Sequence, residues 1–481
     1  MLAAGIASPD VTAEPIDIGA RLELFVDDHL IENLIGAEQR MHHPTPHEVA
    51  IVFDKPWEGN GANYVTVFQD GPVYRMYYRG LNFKFVEGEV KVEHEQTCYA
   101  ESVDGIHWTK PDLGVFDFKG SSRNNIVWKG KGSHNFTPFK DPNPDCKPDE
   151  RYKALAGSPL QALKSVDGVH WSLVGKEPVI TRGDFDSQNL AFWDELRGEY
   201  RDYHRKSRDG RDIMTCTSKD FFNWTEPVFL EYSPGRISEL YTNQIIPYYR
   251  APHIFLGFPT RYIDRGLTAS TMVLPHPDVR RIRLAISQRE ATALTDVMLM
   301  SSRDALHFNV WPESFIRPGP QRPGSWIYGD HYQNWGLVET RSALHDAPNE
   351  LSVYLTERTV GDIDQSQLRR YGLRIDGFVS IQAPLAGGEL LTRPLRFSGS
   401  QLVINFSTSV AGSIRLEIQD AKGMALRGFT MEDSALIYGD ELDRAVSWKG
   451  DPDLGKLAGK AVRLRFELKD ADLYSIKFHD E

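Results

Sequence analysis

Cysteine is scarce in this chain: Cys98, Cys146 and Cys216 are the three in 481 residues. An odd count excludes a fully paired disulfide framework, and the wide spacing excludes a zinc knuckle or a Cys-x-x-Cys redox pair. Three unpaired thiols are expected, with stability supplied by burial of apolar surface. Positive charge is also short, 55 Lys and Arg against 67 Asp and Glu, for a net charge of −12. Nucleic acid and anionic membranes need a basic footprint and are excluded as main partners. No apolar run approaches the roughly 18 residues that span a bilayer. Segment 1–10 has no basic n-region and too short an apolar core for a secretory signal. Helix periodicity is sparse, and no G-x-S-x-G elbow, phosphate loop, dinucleotide fingerprint or H-E-x-x-H occurs. His42, His43 and His47 sit in a proline-containing stretch without an acidic partner at helical spacing and read as loop histidines. No cofactor is expected, although the many Asp and Asn oxygens leave room for a structural Ca²⁺.

Aromatic and turn-forming residues are plentiful: 11% Phe, Trp and Tyr, with 39 Gly and 28 Pro. That balance favours all-β structure, and the length favours two domains. Internal repeats give the architecture. One register is a turn motif, present as Ser102-Val-Asp104-Gly-Ile-His-Trp108, Ser165-Val-Asp167-Gly-Val-His-Trp171, Ser218-Lys-Asp220-Phe-Phe-Asn-Trp224 and Ser302-Arg-Asp304-Ala-Leu-His-Phe308. Each copy follows a strand-like run, its Asp and Gly suit a tight turn, and its closing aromatic can pack beneath. A second register begins at Asn63, Asn135, Asn189, Asn243 and Asn334, each followed by a β-run, a turn and another β-run. The two registers alternate strictly. Each unit is therefore one four-stranded blade, and five units predict a five-bladed β-propeller.

The fifth unit lacks the turn motif, so the strand around Arg21–Ile31 is expected to supply its outer strand and close the ring. Insertions at 81–96 and 261–296 are candidate loops over the active face. Beyond about residue 375 the pattern becomes short alternating runs of an antiparallel β-sandwich. The expected domains are a propeller over 1–370 and a sandwich over 371–481.

A five-bladed propeller followed by a sandwich resembles the furanosidase superfamily of glycoside hydrolases, which holds the invertase and fructan-hydrolase group and the arabinanase and xylosidase group. Leu24-Phe-Val-Asp-Asp-His-Leu-Ile31 and Leu373-Arg-Ile-Asp-Gly-Phe-Val-Ser380 are similar to segments of invertase-like bacterial proteins common in polysaccharide degraders. The resemblance covers nearly the whole chain. It implies a secreted or periplasmic enzyme acting on an oligo- or polysaccharide, with a cytoplasmic location still open. The invertase nucleophile motif is missing: its place reads Pro56-Trp-Glu-Gly-Asn-Gly-Ala-Asn63, without Asp. Catalytic residues therefore do not transfer by motif.

Innermost strands face a propeller's channel, so residues around the repeat asparagines should line one end of it. The carboxylates there are Glu58, Asp186, Glu239 and Asp330. Glycoside hydrolysis uses two carboxyl groups flanking the scissile bond, often tuned by a third. Glu239 is expected as general acid and Asp186 as nucleophile or base, with Glu58 or Asp330 as third member. Candidate substrate contacts are His134, Asn135, Asp141, Gln188, Asn189, Tyr241, Asn243, Arg261, Tyr332 and Trp335. The asparagines serve equally as backbone-bonding groups, since five equivalent positions suggest one shared role. His204, Arg205 and Arg261 lie at strand ends, where an arginine either pairs with a charged sugar or forms a surface ion pair. Competing readings are a phosphorylase or transglycosylase on the same scaffold, a non-catalytic carbohydrate-binding propeller, and a protein-binding scaffold.

Overall fold

The computed structural model describes residues 14–86, 88–359 and 365–480. They divide into two compact units, one over Pro44–Leu373 and one combining 14–43 with 374–480. No helix among the described residues is long and apolar enough to cross a membrane.

The first unit is a five-bladed β-propeller. Its blades are sheets of sequence-adjacent strands, of which the first holds Asn63–Asp70, Val73–Val86, Glu89–Ser102 and Ile126–Lys129. The second holds Thr137–Lys140, Tyr152–Ala156, Gln161–Ser165 and Trp171–Leu173, and the third holds Leu190–Asp194, Glu199–Ser207, Arg211–Ser218 and Val228–Phe229. The fourth has seven strands: Glu231–Ser233 and Glu239–Leu240 join from the stretch ahead of Asn243, and the insertion adds Thr260–Asp264 and three short helices. The fifth holds Val338–Thr340, Glu350–Glu357 and Gln367–Arg374 and takes its last strand from Thr45–Val52.

That last pairing corrects the expected closure and the expected domain boundary. Thr45–Val52 lies antiparallel to Gln367–Arg374, in register from Val52 opposite Gln367 to Thr45 opposite Gly372. The run expected there instead joins the second unit: Leu22–Leu24 pairs with Val462–His479, and Ile31–Ile35 with Gly388–Thr392. Burial explains the choice. An outermost blade strand keeps one face in water, and Thr45–Val52 is mostly exposed or half-buried. Leu22–Leu24 is buried at all three positions, and Phe25 and Val26 are 1% and 0% exposed, as an inner strand requires. The β-sandwich is thus built from both ends of the described chain, around Phe25, Ile404, Leu416, Phe466 and Phe478.

The turn motif has one geometry in all four copies. Ser102 Oγ accepts the backbone N–H of Asp104 and Gly105 at 3.1 and 2.9 Å, and Asp104 Oδ1 accepts those of Ile106 and His107, both at 2.8 Å. The residue after the aspartate adopts a left-handed φ of +72° at Gly105, +80° at Gly168, +72° at Phe221 and +71° at Ala305. Its carbonyl is used between blades: Tyr77 Oη donates to Gly168 O at 2.9 Å, Tyr203 Oη to Ala305 O at 2.8 Å, and Tyr354 Oη to Gly105 O. A tyrosine on one blade's second strand therefore clasps the turn of the next. Burial opposes ionisation of the Asp220 carboxylate, but donors from Asn223 and Phe222 outweigh it and hold its pKa down to about 2. Such a group stabilises the fold above the ordinary carboxylate range and loses that contribution as pH falls towards 2. Asp220→Ala is expected to cost about 1 kcal/mol at neutral pH, the group being exposed and screened. Thermal melts of variant and parent should converge near pH 2.

The propeller axis is filled by side chains. Gln188 Nε2 donates to Val65 O and Thr66 Oγ1 at 3.1 and 3.0 Å, while Gln244 Nε2 donates to Gln188 Oε1 at 2.8 Å and to Gln333 O at 2.6 Å. Blades one, three, four and five are tied together by this amide network.

Candidate active site

A cavity of about 350 Å³ lies where the starts of the five blades meet. Each blade contributes a ring or carboxylate within three positions of its repeat asparagine: Tyr64, His134, Asp186, Tyr241 and Tyr332. Tyr64 has a left-handed φ of +53°, a costly conformation for an aromatic residue that recurs at functional sites. Both insertions supply wall. The hairpin at 81–96 brings Phe83, Phe85, Val90 and Val92, and the helical insertion brings Arg283 and Glu290. Arg283 lies on the helix Pro277–Leu284, which has Pro at its first position, Asp278 in its first turn and Arg281 and Arg283 in its last. That arrangement matches the helix dipole at both ends.

The tyrosine hydroxyls form a chain, Tyr64 Oη to Tyr241 Oη at 3.1 Å and Tyr328 Oη to Tyr241 Oη at 3.4 Å. The Tyr332 hydroxyl is buried without a hydrogen-bond partner among the described residues. A charged relay adjoins these rings, with His134 edge-on to Tyr64 at 5.6 Å and Arg205 over Tyr241 at 5.1 Å. Asp186 Oδ1 is 2.9 Å from His134 Nε2, and Glu95 Oε1 is 2.7 Å from His134 Nδ1. Arg205 Nη2 is 3.5 Å from Asp186 Oδ2, and the Arg79 guanidinium stands over the Tyr64 ring at 4.4 Å. Partial desolvation within the cavity penalises the Asp186 anion, but the hydrogen bond to His134 and the charge of Arg205 outweigh it and hold the carboxyl below its ordinary range. Burial likewise disfavours a charged His134, yet its bonds to Asp186 and Glu95 raise its pKa. The relay is an imidazolium held between two carboxylates.

Of the four carboxylates expected to converge, Asp186 alone lines this cavity. Glu58 is fully buried and accepts from Lys55 N at 2.8 Å, Tyr78 Oη at 2.5 Å and Lys110 Nζ at 2.7 Å. Asp330 is 2% exposed and bonded to His331 Nδ1 at 2.6 Å. Glu239 is held by Arg289 and Arg211 beside Gly210. These three stand four or five positions ahead of their repeat asparagines, far enough back for the chain to turn them into local ion pairs and hydrogen bonds. The second carboxylate of the cavity is Glu290, which no repeat position signals.

His134, Tyr241 and Tyr332 line the cavity, whereas the other expected contacts lie outside it. Asn135 Nδ2 donates to Gly157 O at 3.1 Å and to Phe185 O at 2.6 Å, joining blades two and three. Asn189 donates to Phe185 O and Ser187 O at 3.2 and 2.9 Å, and Asn243 to Tyr203 O at 3.2 Å. Gln188 belongs to the axial network. Arg261 grips Asp296 through Nε and Nη2 at 2.7 and 2.5 Å. Asp141, which binds Lys153 and Tyr200, and Trp335 line a separate apolar recess of about 470 Å³ with Phe139 and Phe192. Among the described residues, Asp202, His204 and Cys216 form a fully buried group of metal-type ligands. None of them lines the cavity, and their N, O and S donors differ from the all-oxygen set of a Ca²⁺ site. All three cysteines are free.

No family model matches the chain. An uncharacterised protein of Mycobacterium tuberculosis, from strains CDC 1551/Oshkosh and H37Rv, is 42% identical over 119 residues, which is 24% of this chain. The chain spans 35% of the length of these curated relatives. In structure it is similar to several solved glycoside hydrolases. A family 43 arabinoxylan arabinofuranohydrolase from Bacillus subtilis is 9% identical with a TM-score of 0.41, over 91% of this chain and 99% of that one. A fructofuranosidase from Schwanniomyces occidentalis is 10% identical at 0.38, over 96% and 99%. A GH62 α-L-arabinofuranosidase catalytic domain from Coprinopsis cinerea is 8% identical at 0.40, over 69% and 97%.

Proposed function

We propose that the protein is a glycosidase whose substrate sugar occupies the five-blade cavity. The observation that carries this reading is the ionised carboxylate of Asp186, solvent-accessible and poised by His134 and Arg205, in a tyrosine-walled pocket that also presents Glu290. A carboxylate held below its ordinary range is a poor proton donor, so Asp186 serves as nucleophile, as base for an attacking water, or as counter-charge to the oxocarbenium-like transition state. Glu290 is the other carboxyl group lining the cavity among the described residues and takes the role of proton donor to the leaving oxygen. His134 positions Asp186 and maintains its charge.

The test is turnover of a panel of aryl glycosides by the full chain, with calorimetric binding of the same sugars to Asp186→Asn and Glu290→Gln. Binding retained with turnover lost supports hydrolysis. Binding with no turnover by the parent protein leaves a carbohydrate-binding propeller.

The relay also sets the pH profile. Asp186 stays ionised below the usual carboxylate range and His134 stays protonated above the usual histidine value near 6.5. The acid limb of kcat/KM, which reports protonation of Asp186, is therefore expected below the ordinary carboxylate range. His134→Gln should move the acid limb upward, because Asp186 then loses the hydrogen bond that favours its anion. An unmoved acid limb in that variant would separate His134 from the chemistry.

A further inference from the structure

We infer that the cavity takes a sugar bearing an anionic group, a carboxylate or a sulfate ester, with Arg283 as its counter-ion. This rests on the glycosidase reading above and narrows its substrate class. Arg283 lines the cavity yet is 5% exposed, and its Nε and Nη1 are buried with no hydrogen-bond partner among the described residues. Its charge lies beside two rings, Tyr328 at 5.4 Å and Phe85 at 5.7 Å, and feels the Glu290 carboxylate without hydrogen-bonding to it. Arg205 repeats the pattern at 7% exposure: its Nε and Nη1 are buried and unpartnered, and its contact with Asp186 is a loose 3.5 Å. A buried guanidinium whose donors lack acceptors is expensive, and a fold that keeps one holds a place for a missing partner.

The charge balance agrees. The chain as a whole carries −12. Among the described residues around this cavity, however, Arg79, Arg205 and Arg283 with the imidazolium of His134 outnumber Asp186, Glu95 and Glu290. An oxocarbenium-like transition state beside that excess would be repelled unless the substrate brought its own negative charge. Guanidinium groups offer paired donors that match the oxygens of a carboxylate or sulfate, and the apolar surroundings of Arg283 strengthen such a pair once formed.

Calorimetry on the full chain separates the possibilities, using glucuronate, galacturonate and glucose 6-sulfate against glucose and galactose. At least one acidic sugar should bind tenfold or more tightly than its neutral parent, and the uronates against the sulfate identify which anion is read. Arg283→Met should remove that preference, and Arg283→Lys should retain part of it. Arg283→Met should also raise the melting temperature by a few degrees, since an apolar side chain replaces a buried unpaired charge; a purely structural arginine predicts the opposite shift. In the parent protein, inorganic sulfate should compete with the acidic sugar, which tests the inference even if the variant fails to fold. Neutral sugars binding equally well, no acidic sugar binding at millimolar concentration, or an unchanged preference in Arg283→Met overturns it. Arg283-dependent binding of an acidic sugar without cleavage of any glycoside would sink the glycosidase reading and leave this one standing. Cleavage of neutral glycosides alone would do the reverse.

Discussion

Asp186→Asn is expected to lower turnover by roughly 10²–10⁴-fold, the range that positioned acid–base groups contribute, while leaving stability nearly unchanged. The carboxylate side chain is 72% exposed, so no packed core depends on it. The exchange is almost isosteric and preserves an acceptor for His134 Nε2, but it removes the negative charge that the relay exists to maintain. Loss of activity at constant melting temperature would show that the charge serves chemistry. Full activity in this variant would remove Asp186 from the mechanism. A loss of stability without loss of rate would make the relay a structural device.

Glu58→Ala should behave in the opposite way. The side chain is fully buried and faces Lys110, itself 11% exposed, at 2.7 Å. Removing one member of a buried pair strands the other charge and typically costs about 3–5 kcal/mol. Tyr78 Oη and the Lys55 N–H lose their acceptor in the same step. The first blade's opening loop should loosen, the unfolding transition of the propeller should move to lower denaturant, and activity per folded molecule should hold. A stable but inactive Glu58→Ala protein would return Glu58 to the catalytic set.

The two residues show what the sequence makes legible. Local repetition is visible, and the turn motifs at Ser102, Ser165, Ser218 and Ser302, with the five asparagines, mark out the blades and the inner strands. Which carboxylate near an asparagine faces the cavity depends on a few residues of loop geometry, and periodicity does not encode that. Glu58 and Asp186 look alike in one dimension, but backbone and lysine donors claim the first while an imidazole presents the second to solvent. Arg283 and Glu290 lie in the 261–296 insertion, which has no counterpart in other blades and hence no repeat against which to read them. Arg79 and Tyr64 were hidden differently, inside strand patterns that core packing explains equally well. The misplaced strand near Leu22 has a further cause: its partner lies beyond residue 462, and no local pattern reports a pairing that distant.

The same pairing bears on biosynthesis. Leu22–Leu24 leaves the ribosome more than four hundred residues ahead of its partner Val462–His479, a wait on the order of a minute at typical elongation speeds. In that interval the ring can seal, because Thr45–Val52 needs nothing later than Arg374. The leading apolar segment, Phe25 and Val26 among it, remains uncovered until the last strand arrives. A chain stopped before Val462 should therefore yield a sealed ring with an uncovered apolar segment, a species that chaperones would hold and that would aggregate on release.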